Sequence, residues 1–151
     1  EAALLVQQLK ALGHKAAFVG DDGLFEQEDF IKAAGGAAEG AIVTALAAPP
    51  ESVPAAKEFI KKYEAKHGTI GPYSLNAYDG VSIIFAAIKR AGKFDRKAIA
   101  AEVAKTKDYK GISSGRPVTF NAKGDNVNAA IYIYKVQDNK FNLVKEITFG
   151  K

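Results

Sequence analysis

The sequence predicts an α/β fold, and three stretches carry that prediction. Within residues 1–48 an amphipathic helical stretch leads to a short apolar run ending in glycine, and the same helix-to-strand step then recurs. Residues 54–106 hold three helical patterns with no strand between them. The tail changes to the period-two alternation of strands and reverses at an Asp-Asn pair.

Leu5, Leu9 and Leu12 stand at i, i+4 and i+7 with Gly13 behind them, which predicts a first amphipathic helix and its stop. Lys15-Ala16-Ala17-Phe18-Val19 closes on Gly20 and reads as a buried strand entering a loop rich in Asp and Gly. Asp29 is placed to cap a helix through Ala34, and Gly35-Gly36 stop it. Gly40-Ala41-Ile42-Val43-Thr44-Ala45-Leu46 then supplies a second buried strand. Strands joined through a helix imply a parallel sheet.

Ala47-Ala48-Pro49-Pro50-Glu51-Ser52 breaks the alternation, because proline donates no ladder hydrogen bond and restricts its predecessor, so a linker or crossover is expected there. From Pro54, Phe59, Ile60 and Tyr63 share a helix face that ends at His67-Gly68. A second helix carries Tyr78, Val81, Ile84, Phe85 and Ile88 as a core stripe before Gly92. A third starts at Asp95 as N-cap, presents Ile99 and Val103, and fades near Thr106. Arg116 to Phe120 reads as a short strand and Asn121 to Asp125 as a turn. Ala130 to Val136 alternates Ile131 and Ile133 with Tyr132 and Tyr134, which are read as sheet-packing residues, and Asp138-Asn139 turns the chain back into Phe141 to Phe149 as a closing hairpin.

Composition fits a folded domain. Of 151 residues 48% are hydrophobic and 25% charged, and a chain of this size buries roughly 68–70% of its unfolded surface, so no metal or disulfide staple is required. Lys, Glu or Gly interrupts every apolar run before the roughly 18 to 20 residues of a spanning helix. The absence of Cys excludes disulfides, thiolate metal sites and thiol nucleophiles. Met is absent too, and an opening of Glu1-Ala2-Ala3 leads us to expect processing or excision upstream. The net charge of +4 is unevenly distributed: residues 1–48 hold three lysines against seven carboxylates, residues 49–110 twelve cations against seven. Lys57, Lys61 and Lys62 in that basic middle fall at helical spacing, as on a solvated helix face, and no nucleic-acid partner is expected.

Catalytic motifs are missing from the sequence: there are two histidines, no cysteine, no nucleophile elbow and no Walker or dinucleotide glycine pattern. His14 and His67 each sit beside a helix-ending glycine and read as partners of the helix dipole. Asp21, Asp22, Glu26, Glu28 and Asp29 lack the alternation of a calcium loop, and neither metal nor cofactor is expected. A carboxylate just after a buried parallel strand, however, lies at the carboxyl end of a sheet, where open α/β folds place ligands. Asp22, with Gly23 and Leu24 beside it, is therefore a candidate for meeting a cationic ligand; the alternative makes Asp21 and Asp22 ordinary turn formers. Tyr73, Leu75 and Tyr78 surround the start of the long second helix and are candidates for an apolar ligand wall, although Tyr78 also fits that helix's core stripe.

Four segments then occur together in order: Phe18-Val19-Gly20-Asp21-Asp22-Gly23, Ala37-Ala38-Glu39-Gly40, Tyr78-Asp79-Gly80-Val81, and Val118 to Asp125 with its F-x-x-K-G-D element. This order resembles the leucine/isoleucine/valine-binding family, solute-binding proteins of ABC importers with the type I periplasmic-binding-protein fold, and specifically their second half. The resemblance implies that residues 1–48 belong to the second lobe, 49–129 to the first lobe after the proline-rich crossover, and 130–151 to a hairpin returning to the second lobe. It implies that the three helices cover a sheet supplied by other sequence. It also implies that the carboxylate of F-x-G-x-[DE]-G, here Asp22 in place of the commoner Glu, receives the ammonium of a branched-chain or related apolar amino acid, with a membrane permease as partner. A periplasmic or extracellular location, soluble or lipid-anchored, follows from the same resemblance. A flavodoxin-like α/β enzyme and an engineered or self-assembling fragment, forming a homodimer or domain swap, are the alternatives.

Overall fold

A computed structural model describes residues 1–49 and 52–149. Pro50 and Glu51 of the expected proline-rich crossover, and Gly150 and Lys151, lie outside the described residues. The described residues divide into two compact units, one of residues 1–46 and 131–147, the other of 47–130 with residues 148 and 149. Among the described residues, no helix is long and apolar enough to cross a membrane.

Unit 1 is built on a four-stranded sheet of order β1-β2-β5-β6, with β1 Val19–Gly20, β2 Ile42–Ala45, β5 Ala130–Gln137 and β6 Lys140–Thr148. β1 runs parallel to β2 with Val19 opposite Ile42, and β2 runs antiparallel to β5 with Val43 opposite Tyr134. Period-two burial is clean along β5, where Ala130, Tyr132, Tyr134 and Val136 are all buried. Asp138 and Asn139 reverse the chain into β6 at φ of +53° and +57°, the left-handed pair that a two-residue hairpin needs to match strand twist.

Three details of unit 1 differ from the sequence reading. Helix α1, Ala2–Ala11, buries Ala3 and Val6, while Leu5 and Leu12 of the leucine stripe are exposed. Ala3 and Val6 join the core cluster of Phe30, Ile31 and Ala34, and on the exposed rim of the same face Gln7 Nε2 donates to the Ala33 carbonyl at 3.0 Å and Lys10 Nζ to that of Gly36 at 3.2 Å. The expected strand over 15–19 contracts to Val19–Gly20, an edge strand with Val19 exposed. Asp29 caps nothing; the segment Gln27–Lys32 is a π-helical turn after Glu26, whose carbonyl accepts from both Phe30 and Ile31 amides at 3.3 Å. Widening that turn puts both consecutive side chains into the core at 1% exposure, beside Ala34, Ala38, Val43 and Val136. Burying each of the two contributes about 1.5–3 kcal/mol.

Unit 2 contains α2 Pro54–His67, α3 Ser74–Ala91 and α4 Arg96–Ala104, followed by the two-stranded pair β3 Tyr109–Lys110 and β4 Pro117–Val118. Pro54 occupies the first turn of α2, where its missing N–H costs nothing. Gly92 ends α3 at φ +65°, and Asp95 Oδ1 caps α4 by accepting from Ala98 N at 2.8 Å. α3 and α4 pack together, and Arg90 reaches Glu102 through its carboxylate at 3.2 Å and its carbonyl at 2.9 Å. The expected strand 116–120 shrinks to β4, and its partner β3 had no sequence signal. In the following turn Asn121 Oδ1 accepts from Lys123 and Asp125 amides.

The stripe expected to form the core of α3 is the helix's open face. Tyr78, Val81, Ile84 and Phe85 are 45–66% exposed, whereas Leu75, Asp79, Ile83 and Ala87, four residues apart, are buried. Asp79 decides this rotation. Its carboxylate accepts the part-buried Ile112 amide and the buried Ser113 amide, and a helix turned by one position would take that acceptor away from both.

Candidate functional site

The chain leaves β1 at Gly20 and enters a 3-10 turn over Asp22–Leu24, at the carboxyl end of the parallel pair β1 and β2. Asp21 is extended, at φ −93° and ψ −171°, and its Oδ1 accepts from Gly23 N at 3.2 Å, so the cap of the turn is Asp21. Asp21 and Asp22 carbonyls accept from Leu24 and Phe25 amides, each at 3.1 Å. Leu24 folds back over β1: a β-carbon on Gly20 would collide with its Cδ1 and lie 3.3 Å from its Cγ. Beyond the turn, Phe25 packs at a tilt against Tyr134 and Phe141 with ring centroids 4.5 and 4.6 Å away. Glu26, next in line, has its carboxyl pushed up by partial burial and then by the charge of Asp29. The sequence candidates Asp22, Gly23 and Leu24 thus form one short turn, held at one end by the Asp21 cap and at the other by an aromatic cluster. Asp22 itself is half-buried.

The other three candidates lie in unit 2 and point different ways. Tyr73 precedes α3, is 46% exposed, and accepts the Ala77 amide on its carbonyl at 2.9 Å. Leu75 is buried at 5% exposure. Tyr78 faces α2, its ring 4.7 Å from that of Phe59. It lines a groove of about 540 Å³ with Phe59, Tyr63, His67 and Ile112, to which neither Tyr73 nor Leu75 contributes. His67 lies against Tyr63 at 5.1 Å, an aromatic contact on the last turn of α2. Among the described residues, no group of three or more His, Cys, Asp or Glu side chains is arranged to hold a metal ion.

The structural roles of three residues, Asp79, Gly111 and Tyr109, are not read from the sequence. Asp79 is 4% exposed inside α3, and Gly111 sits directly under its carboxylate. Tyr109 lies beside them: burial raises its phenol, a hydrogen bond with Ser82 lowers it, and the Asp79 charge raises it again, for a net upward shift. Helical periodicity does not mark this cluster, because an aspartate beside an apolar stripe reads as a solvent-facing residue, and Asp79 enters the sequence reading only within the segment Tyr78-Asp79-Gly80-Val81.

Comparison with known proteins gives consistent matches. A family model described as periplasmic binding protein matches residues 1–140. Leu/Ile/Val-binding protein homolog 3 of Brucella melitensis is 32% identical over 148 residues, covering 93% of this chain and 37% of that protein. The crystal structure of the leucine binding protein LivK from Thermotoga maritima matches with a TM-score of 0.81 at 29% identity, covering 97% of this chain and 41% of that one. LivJ from Streptococcus pneumoniae, a branched-chain amino acid transporter substrate binding protein solved with isoleucine, matches with a TM-score of 0.77 at 27% identity, over 95% of this chain and 41% of that one. The chain spans about two fifths of the length of these relatives.

Proposed function

The chain belongs to the periplasmic binding protein family and carries part of its type I fold, and from that premise we propose that it forms part of a protein that captures branched-chain or related apolar amino acids for an ABC importer. Capture involves no chemistry on the ligand, and the partner that receives the amino acid is a membrane permease. The protein works in the periplasm or outside the cell, soluble or lipid-anchored. Residues 1–48 and the return hairpin 130–151 contribute to one lobe, and 49–129 to the other.

The observation that carries this reading is the position of Asp22. It occupies the acidic position of F-x-G-x-[DE]-G, at the carboxyl end of a parallel strand, in a turn whose cap is its neighbour Asp21. In this proposal the Asp22 carboxylate receives the ligand ammonium through a charge-assisted hydrogen bond. Gly23 and Leu24 shape the turn that presents it; of the apolar-wall candidates Tyr73 is exposed and open to a ligand, whereas Leu75 is buried and Tyr78 packs on Phe59. The names of the relatives favour capture over the flavodoxin-like enzyme alternative.

The exposed face of α3, with Val81, Ile84 and Phe85, is consistent with a helix that packs on a further layer in a protein of the relatives' length. A homodimer or domain swap would cover it in the 151-residue chain by itself. Calorimetry tests the function. A protein of the relatives' length that carries this sequence should bind leucine, isoleucine or valine, and the 151-residue chain alone should bind them weakly or not at all, since a one-sided site lacks two-sided burial. Failure of the long protein to bind any of the three, or micromolar binding by the monomeric chain, would overturn the reading.

A further inference from the structure

Asp79 begins a chain of hydrogen bonds that runs through unit 2 to the place where the polypeptide enters it. Its Oδ1 and Oδ2 accept from Ile112 N at 2.9 and 3.0 Å, and Oδ2 accepts also from Ser113 N at 2.9 Å. The carbonyl of the same Ser113 accepts from Ala48 N at 3.1 Å. Ala48, Val53 and Ser113 are 5, 5 and 7% exposed. Farther along the loop, a β-carbon on Gly115 would stand 3.3 Å from Val53 Cγ2, so the loop backs the entering segment at two points.

Neither partner in this contact has regular structure of its own. Residues 111–116 lie between β3 and β4, and 46–49 precede α2 without forming strand or helix. Their buried amides therefore depend on side chains and on one another. Asp79 is the only member fixed to a long helix, and it offers both carboxylate oxygens, which amide donors bind more strongly than a neutral acceptor.

We infer that Asp79 is a positioning residue: by clamping the Ile112 and Ser113 amides it holds the Ser113 carbonyl where Ala48 is caught, and so fixes the point at which the chain enters unit 2. The clamp lies wholly within unit 2 and requires no ligand, so its test is independent of the function proposed above.

Native-state amide hydrogen exchange on the 151-residue chain, followed by NMR at increasing denaturant, provides that test. In the unaltered chain the Ala48, Ile112 and Ser113 amides should open together in one step. In Asp79→Ala, which removes both acceptor oxygens, all three should exchange at least tenfold faster while amides of β5 keep their rates. Acceleration at Ile112 and Ser113 with Ala48 unchanged would overturn the inference. So would separate opening of Ala48 in the unaltered chain, a measurement that stands even if the variant does not fold.

Discussion

The carboxylate of Asp79 lies so close over Gly111 that a β-carbon at position 111 would stand 2.8 Å from Asp79 Cγ and 3.1 Å from Oδ1, closer still to Oδ2. Gly111 has no left-handed φ, so glycine is required there by space alone. Helix α3 and the loop after β3 approach to this distance because the carboxylate must reach two consecutive backbone amides.

Gly111→Ala should therefore lower the unfolding free energy by about 2–4 kcal/mol, by overpacking and by displacing a charged acceptor from buried donors. Denaturant titration measures it. In an Asp79→Ala background the same substitution should cost much less, and a cost that is undiminished in that double-mutant cycle would remove the contact as its cause.

Adjacent isoleucines on α3 offer a test of its rotation. Ile83 is 6% exposed and Ile84 46%, so Ile83→Ala should destabilise the chain by about 2–4 kcal/mol and Ile84→Ala by less than about 1 kcal/mol. Equal effects, or the reverse order, would restore the stripe read from the sequence.

Asp21 and Asp22 separate structure from binding. In a protein of the relatives' length, Asp22→Ala should weaken amino-acid binding at least about tenfold, and Asp22→Glu should retain much of it. Asp21→Ala should change affinity far less and instead cost about 0.5–2 kcal/mol of stability, because its Oδ1 caps the turn. Dissociation constants and unfolding curves at fixed pH and salt decide between them, and equal small effects on affinity would make both residues turn formers.

Tyr109 predicts a pH dependence on the alkaline side. Its phenol is held above the ordinary value of 10.0, first by burial, so the native state retains a proton that the unfolded chain releases. The associated stability is complete below the unfolded value and is lost as pH rises through the higher folded one. In an ultraviolet titration the Tyr109 phenol should ionise after its unfolded counterpart, and Tyr109→Phe should remove both that transition and its share of the alkaline loss.

Features governed by backbone chemistry were legible in the sequence: the α/β class, the start of α2 at Pro54, the Asp95 cap of α4, the Gly92 stop of α3 and the Asp138-Asn139 reversal. Each depends on residues within a turn of one another, where φ restriction, capping and left-handed conformations act. The Asp-x-Gly turn that presents Asp22 was legible for the same reason, and Asp21 forms it. Tertiary structure alone decided which face α1 and α3 bury, because both helices carry apolar residues on more than one side and hydrophobicity does not choose between them. For α3 the choice comes from polar partners distant in sequence, Asp79 with the amides of Ile112 and Ser113, and for α1 from the fit of Ala3 and Val6 into the cluster of Phe30, Ile31 and Ala34. A buried donor or acceptor tolerates only the rotation that pairs it, and that constraint exists only once remote segments have met.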